Sequence, residues 1–204
     1  MLAGFVDALG FLTLGGMFVS FMSGNSTSMA VSFALHRQGA LTAAALIVAF
    51  VGGVMAGALV GRAAGRWRKQ IVLGMVTLLL LFTSTLALIG IAPLALTLLM
   101  AFAMGIANDV FQRAGEVSIG VTYMTGTLVK FGQALATALT GGAPLGWLPH
   151  LLLWFGLVAG AIAGASLYPL LGLHALWIAT AFAGMLLAGA IAIGPLADAP
   201  IPQA

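Results

Sequence analysis

Cysteine is absent from this sequence, which excludes disulfides, thiol nucleophiles and thiolate metal sites at once. Charge is nearly absent as well. Only 5% of the 204 residues are Asp, Glu, Lys or Arg, and only four are acids, where soluble domains carry roughly a quarter charged residues. A water-soluble domain is excluded on that count, and the net charge of +3, gathered mainly in one loop, is no nucleic-acid footprint. His36, His150 and His174 fall near span ends with no metal-ligand spacing, so neither a metal nor a cofactor is expected. No cleavable signal peptide is evident.

What fills the chain instead is apolar: 62% hydrophobic residues and a mean hydropathy of +1.19. Residues 39–61, 71–92, 150–168 and 175–194 each approach or exceed the length of about 20 residues that a hydrocarbon core demands. The lipid bilayer is therefore the expected solvent. Among 28 glycines, Gly53 and Gly57, and again Gly160 and Gly164, form small-residue seams suited to close helix packing, and two such seams would suit a homodimer. Arg62, Arg66, Arg68 and Lys69 crowd one polar loop beside Trp67. Four cations at a membrane edge place loop 62–70 in the cytoplasm, on the inner side of a multi-pass membrane protein.

Two polar interruptions break this pattern, FVSFMSGNSTSMAVSFAL at 18–35 and VSIGVTYMTGTLVKFGQALA at 117–136. With Gly24 laid on Gly126, Val19 falls on Val121, Ser20 on Thr122, Phe21 on Tyr123, Met22 on Met124 and Ser23 on Thr125. The same offset carries Asp7 onto Asp109. The chain thus reads as one integral membrane domain of two repeats, 1–93 and 94–194, with a loose proline-rich tail at 195–204. Counting each interruption within one crossing gives three spans per repeat, and an odd repeat inverts its second copy. If each interruption crossed by itself, four spans would result and the inversion would fail. Six residues precede Asp7 against about fifteen between Leu94 and Asp109, so upstream sequence is expected to be missing. The predicted fold is all-α, about six transmembrane helices, each repeat carrying a short extended run followed by a half-helix.

Asp7 and Asp109 are candidates for ion coupling or for bracing the interruption of the opposite copy, since a carboxylate within a span costs roughly 2.5–3.5 kcal/mol on insertion scales. Arg113 and Glu116, four and seven residues beyond Asp109, would share its helical face. Gly24 and Gly126 let the chain leave extended geometry. Ser23, Asn25, Thr125 and Thr127 are helix-capping types at that point. Backbone amides at the two helix starts would then face a small anion or polar solute, with Lys130 nearby and Tyr123 able to stack on it. The bland alternatives are capped kinks with no ligand, an interfacial salt bridge and ordinary core packing.

FVDALGFLTLGGMFVSFMSGN and AGEVSIGVTYMTGTLVKFGQAL together resemble the YoaK-like family of bacterial membrane proteins of unknown function, over essentially the whole chain. That resemblance implies a polytopic inner-membrane protein and supplies no substrate. A looser likeness, of fold alone, is to uracil- and sulfate-permease-type carriers. The expected function is transport or facilitated passage of a small polar or anionic solute between the two interruptions. A non-transporting scaffold or sensor is the alternative. A serine hydrolase using Ser26 with His150 or His174 is remote, because neither histidine lies deep in a span.

Overall fold

The structure is a computed structural model. It describes residues 1–113, 116–117 and 123–195, with side chains described for all of these except 111–113 and 116–117. Its α-helices are α1 (Leu2–Thr13), α2 (Met22–Ala34), α3 (Ala40–Ala64), α4 (Arg68–Leu88), α5 (Pro93–Ala107), α6 (Met124–Leu139), α7 (Leu148–Leu171) and α8 (Leu176–Ile193). Glycine and proline set the boundaries. Pro93 opens α5, where a missing N–H costs nothing. Gly65 and Gly172 end α3 and α7 with φ of +53° and +54°, a conformation that favours glycine, and a 3-10 turn at each leads into the next helix.

Three apolar helical stretches are long enough to cross a membrane: Ala40–Leu88, Pro93–Val110 and Leu148–Ile193. The first joins α3 to α4 and the last joins α7 to α8. α1 is apolar but has only 12 residues. Large apolar side chains point outward on these helices, Leu41 being 87% and Ile193 81% exposed. Water would penalise such a surface and lipid does not. The molecule is a helical membrane protein.

Three helix pairs carry the interior: α3 with α5, α1 with α7, and α4 with α8. Glycine explains the first two. A Cβ on Gly53 would strike the Phe102 carbonyl, and one on Gly105 the Phe50 carbonyl, so α3 and α5 meet backbone to backbone. Gly160 lies likewise on the Met1 carbonyl and Gly4 on that of Leu157. Both pairs run parallel, since Gly57 follows Gly53 along Ile106 and Asp109, and Gly164 follows Gly160 along Phe5 and Ala8. α4 and α8 are antiparallel. The Gln70 amide donates to the carbonyls of Ala190 (3.0 Å) and Gly194 (2.7 Å), while the Ser84 and Thr180 hydroxyls meet at 3.0 Å. Leu9, Leu46, Val76, Met100 and Leu176 fill the buried core between the pairs.

One span differs from expectation. The helix predicted to continue to Glu116 ends at Ala107 and gives way to a 3-10 turn, Asn108–Phe111. Two short strands follow, β1 (Gln112–Arg113) and β2 (Glu116–Val117), paired antiparallel with Arg113 opposite Glu116. Asp109, Arg113 and Glu116 therefore share no helical face. The Asp109 carbonyl, which a continued helix would spend on its own ladder, accepts from Arg68 Nε at 3.1 Å.

Candidate functional site

The first interruption begins at Gly15 and Gly16, whose φ values of +66° and +118° turn the chain back at the end of α1. Residues 17–21 then return along the helix they have just left. Val19 presses on Gly10, where any side chain would collide with it. The amides of Val19 and Ser20 donate to Asp7 Oδ1 at 2.9 and 2.8 Å. Asp7 lies six residues before Thr13, so the returning backbone reaches about 9 Å below the helix end. Asn25, fully buried, closes the hairpin: its Oδ1 accepts from the Phe18 amide (2.9 Å) and its Nδ2 donates to the Phe18 carbonyl (2.6 Å).

Non-helical backbone at such depth survives only where protein satisfies its polar groups, and Asp7 and Asn25 do so. Asp7 braces the interruption of its own half, which corrects the expectation that it serves the opposite one. The hairpin hid this from the sequence: contacts twelve and thirteen positions apart follow no helical or strand period.

The helix starts also differ from expectation. α2 begins at Met22 and α6 at Met124, so Gly24 and Gly126 lie inside the first turns, not at the breaks. Phe21 and Tyr123 occupy the cap positions, and neither helix start has a side-chain cap bond. Ser23, Asn25, Thr125 and Thr127 are consequently not caps. Thr127, buried, donates its hydroxyl to the Tyr123 carbonyl at 3.1 Å. The glycines serve a different need: the ring of Phe21 folds over Gly24 and that of Tyr123 over Gly126, each filling the space of a Cβ. Ser23, Tyr123, Thr125 and Lys130 are exposed, Lys130 in the second turn of α6. Ser26 is exposed too, its hydroxyl bonded to the Met22 carbonyl of its own helix. The matched positions Val121 and Thr122 lie outside the described residues.

Asp109 has a partner that sequence reasoning read only as a topology signal. Arg68 Nη2 stands 3.3 Å from Asp109 Oδ1, with the carboxylate side chain 1% exposed and the arginine 15%. The pair sits where α5 ends beneath the basic loop, against Gly57 of α3. Ala8, not Asp7, occupies the corresponding place against Gly164, so the two acids matched by sequence do not share a packing position. The side chains of Arg113 and Glu116 lie outside the described residues.

Among the described residues, the helices that follow the two interruptions do not pack on each other. α2 packs on α3 and α6 on α7. A cavity of about 490 Å³ opens elsewhere, where the first residues of α1, the start of α4 and the ends of α5 and α8 converge on the first half of α7. Met124 is the residue that α6 contributes to it. Ser23, Gly24 and Asn25 line neither this cavity nor the shallower groove between α1 and α7, which Asp7 joins beside Phe11 and Phe18.

Residues 1–189 match the family described as a protein of unknown function, DUF1275. A UPF0700 transmembrane protein of Rhizobium meliloti is 37% identical over 197 residues, covering 94% of this chain and 83% of that protein. No solved structure matches.

Proposed function

The chain belongs to the DUF1275 family, and we propose that it is an inner-membrane carrier or facilitator built of two inverted halves, with its solute site in the cavity between them. One observation carries this: the cavity is lined from both halves at their junction, by α1 and α4 of the first and by α5, α7 and α8 of the second. Such junctions are where duplicated transporters place their sites.

The glycine seams support the duplication. Gly53 and Gly160, Gly57 and Gly164, and Gly65 and Gly172 are each separated by 107 positions, while their contacts Phe102 and Met1, and Ile106 and Phe5, are each separated by 101. The antiparallel run of α4 against α8 and the parallel pairs α1/α7 and α3/α5 favour inversion. So does loop 62–70, which carries four cations where the turn between α7 and α8 has no lysine or arginine. That loop is then cytoplasmic. The walls of the cavity alter the expected solute. Among the described residues they are apolar apart from Lys69, which disfavours a small polar molecule and favours one with an apolar body.

The test is flux through reconstituted vesicles. Gly189 lines the cavity and a Cβ there meets nothing, so Gly189→Leu fills the space without breaking a seam and should stop flux. Gly74 has equal room outside the cavity, and Gly74→Leu should be silent. Equal flux in both variants would count against the cavity as a route. A second reading, a non-transporting scaffold or sensor, is favoured by the first interruption, which its own side chains Asp7, Val19 and Asn25 fill.

A further inference from the structure

We infer that Asp7 is a proton-exchange site, a carboxyl that binds and releases a proton from the groove between α1 and α7 while the hairpin of the first interruption stays tied to it. This goes beyond the carrier reading and stands without it. The side chain is partly exposed and joins the groove beside Phe11, Phe18, Leu157 and Ala161. In the described lining it is the single ionisable side chain. An ionised carboxylate against so apolar a wall is costly, and a protonated one far less so.

The bonds to Asp7 leave a definite place for the proton. The amides of Val19 and Ser20 both fall on Oδ1, one for each of its two lone pairs. The carbonyl oxygen of a protonated carboxyl accepts such bonds as a carboxylate oxygen does, so the proton goes to Oδ2. The Ser20 hydroxyl also bonds the carboxylate. A hydroxyl can donate to the ionised form or turn to accept from the protonated one. Both states are thus satisfied without moving the backbone. A metal cation fits less well, since it seeks several oxygen ligands and the backbone here presents N–H groups. The elements packed on α1 bring no competing charge. α5 and α8 carry no ionisable side chain, and none of His150, Tyr168 and His174, on α7 and the turn after it, lines the groove. Tyr168 instead takes a bond from Thr13, beyond Asp7 along α1.

The probe is dicyclohexylcarbodiimide, an apolar reagent that adds to a protonated carboxyl. The acid's proton passes to a reagent nitrogen, its oxygen bonds the central carbon, and the acyl group then migrates to nitrogen, so the whole reagent is retained. Full-length protein in native membranes is treated over a pH series, and adducts are located by mass spectrometry. An adduct is expected on Asp7 and none on Asp109, which is buried against Arg68. Labelling should fall about tenfold per unit of rising pH above its midpoint, as release of one proton requires. This titration needs no variant. Asp7→Asn, which keeps an Oδ1 for both amides, should lose the adduct yet unfold near the parent temperature, unlike Asp7→Ala. An absent adduct, labelling unchanged across the series, or protection of Asp7 by sodium at fixed pH would each overturn the assignment, the last by making it a cation site. Asp7→Asn unfolding as low as Asp7→Ala would do so too, since charge and not the acceptor would then hold the hairpin.

Discussion

Asp7 and Asp109 stand in matching stretches of sequence and do different work. Asp7 accepts two backbone amides from the chain that folds back over its own helix. Asp109 holds an arginine side chain 41 positions away at the edge of the basic loop. A shift of one residue accounts for the difference. The polar stretches align at an offset of 102, but the seam contacts of α1 and α5 align at 101. One helical position is a rotation of about 100°, so one carboxylate turns toward its returning hairpin and the other toward α3 and α4. A matched position in the sequence does not fix what a carboxylate does; the direction it faces decides its chemistry.

The broadest test of the comparison strikes the frame common to both halves. Gly53→Leu and Gly160→Leu each drive a side chain into a backbone carbonyl, and each should cost about 3 kcal/mol or more, read as thermal unfolding in detergent. A tolerant seam on one side would show that the halves are not built alike.

Next come the acids themselves. Asp7→Ala strands two amides and should cost about 3 kcal/mol. Asp109→Ala removes a buried carboxylate from beside the mostly buried Arg68, and a loss of similar size is expected. A loss at only one of the two positions would break the assignment of a structural partner to each acid. Asn25→Ala, which loses both bonds to Phe18, should lower stability by about 2 kcal/mol. Thr127→Ala removes a hydroxyl bonded only within its own helix, where about 0.5 kcal/mol or less is expected. Similar losses at both positions would mean that the second interruption is tied down as the first is.

Much of the frame was legible because periodicity and composition act locally. Gly53 and Gly57 announced a close seam, and α3 meets α5 there. Arg62 to Lys69 announced a loop, and α3 turns into α4 there, but the loop is shorter than expected: only Gly65–Trp67 leave the two α-helices. The partners of Asp7 and Asp109 were not legible, since a double-glycine reversal and a helix pair separated in sequence bring them together. Gly24 and Gly126 were singled out as breaks because glycine so often is one. Here an aromatic ring three residues earlier occupies the space above each, which no rule of propensity encodes. The cavity escaped notice for a plainer reason: its walls are apolar residues like any others in the chain, and only the convergence of helix ends sets them apart.

The crossed pairing of helices has a consequence for how the protein comes into being. α3 finds its companion α5 soon after leaving the ribosome, with α4 between them. α1 is made before either, yet the helix it lies against, α7, follows α6 in the chain. The α1/α7 seam can therefore close only after α3 to α6 have been synthesised, so of the three helix pairs the one that spans the greatest length of chain is also the one whose first member waits longest on the ribosome for its partner.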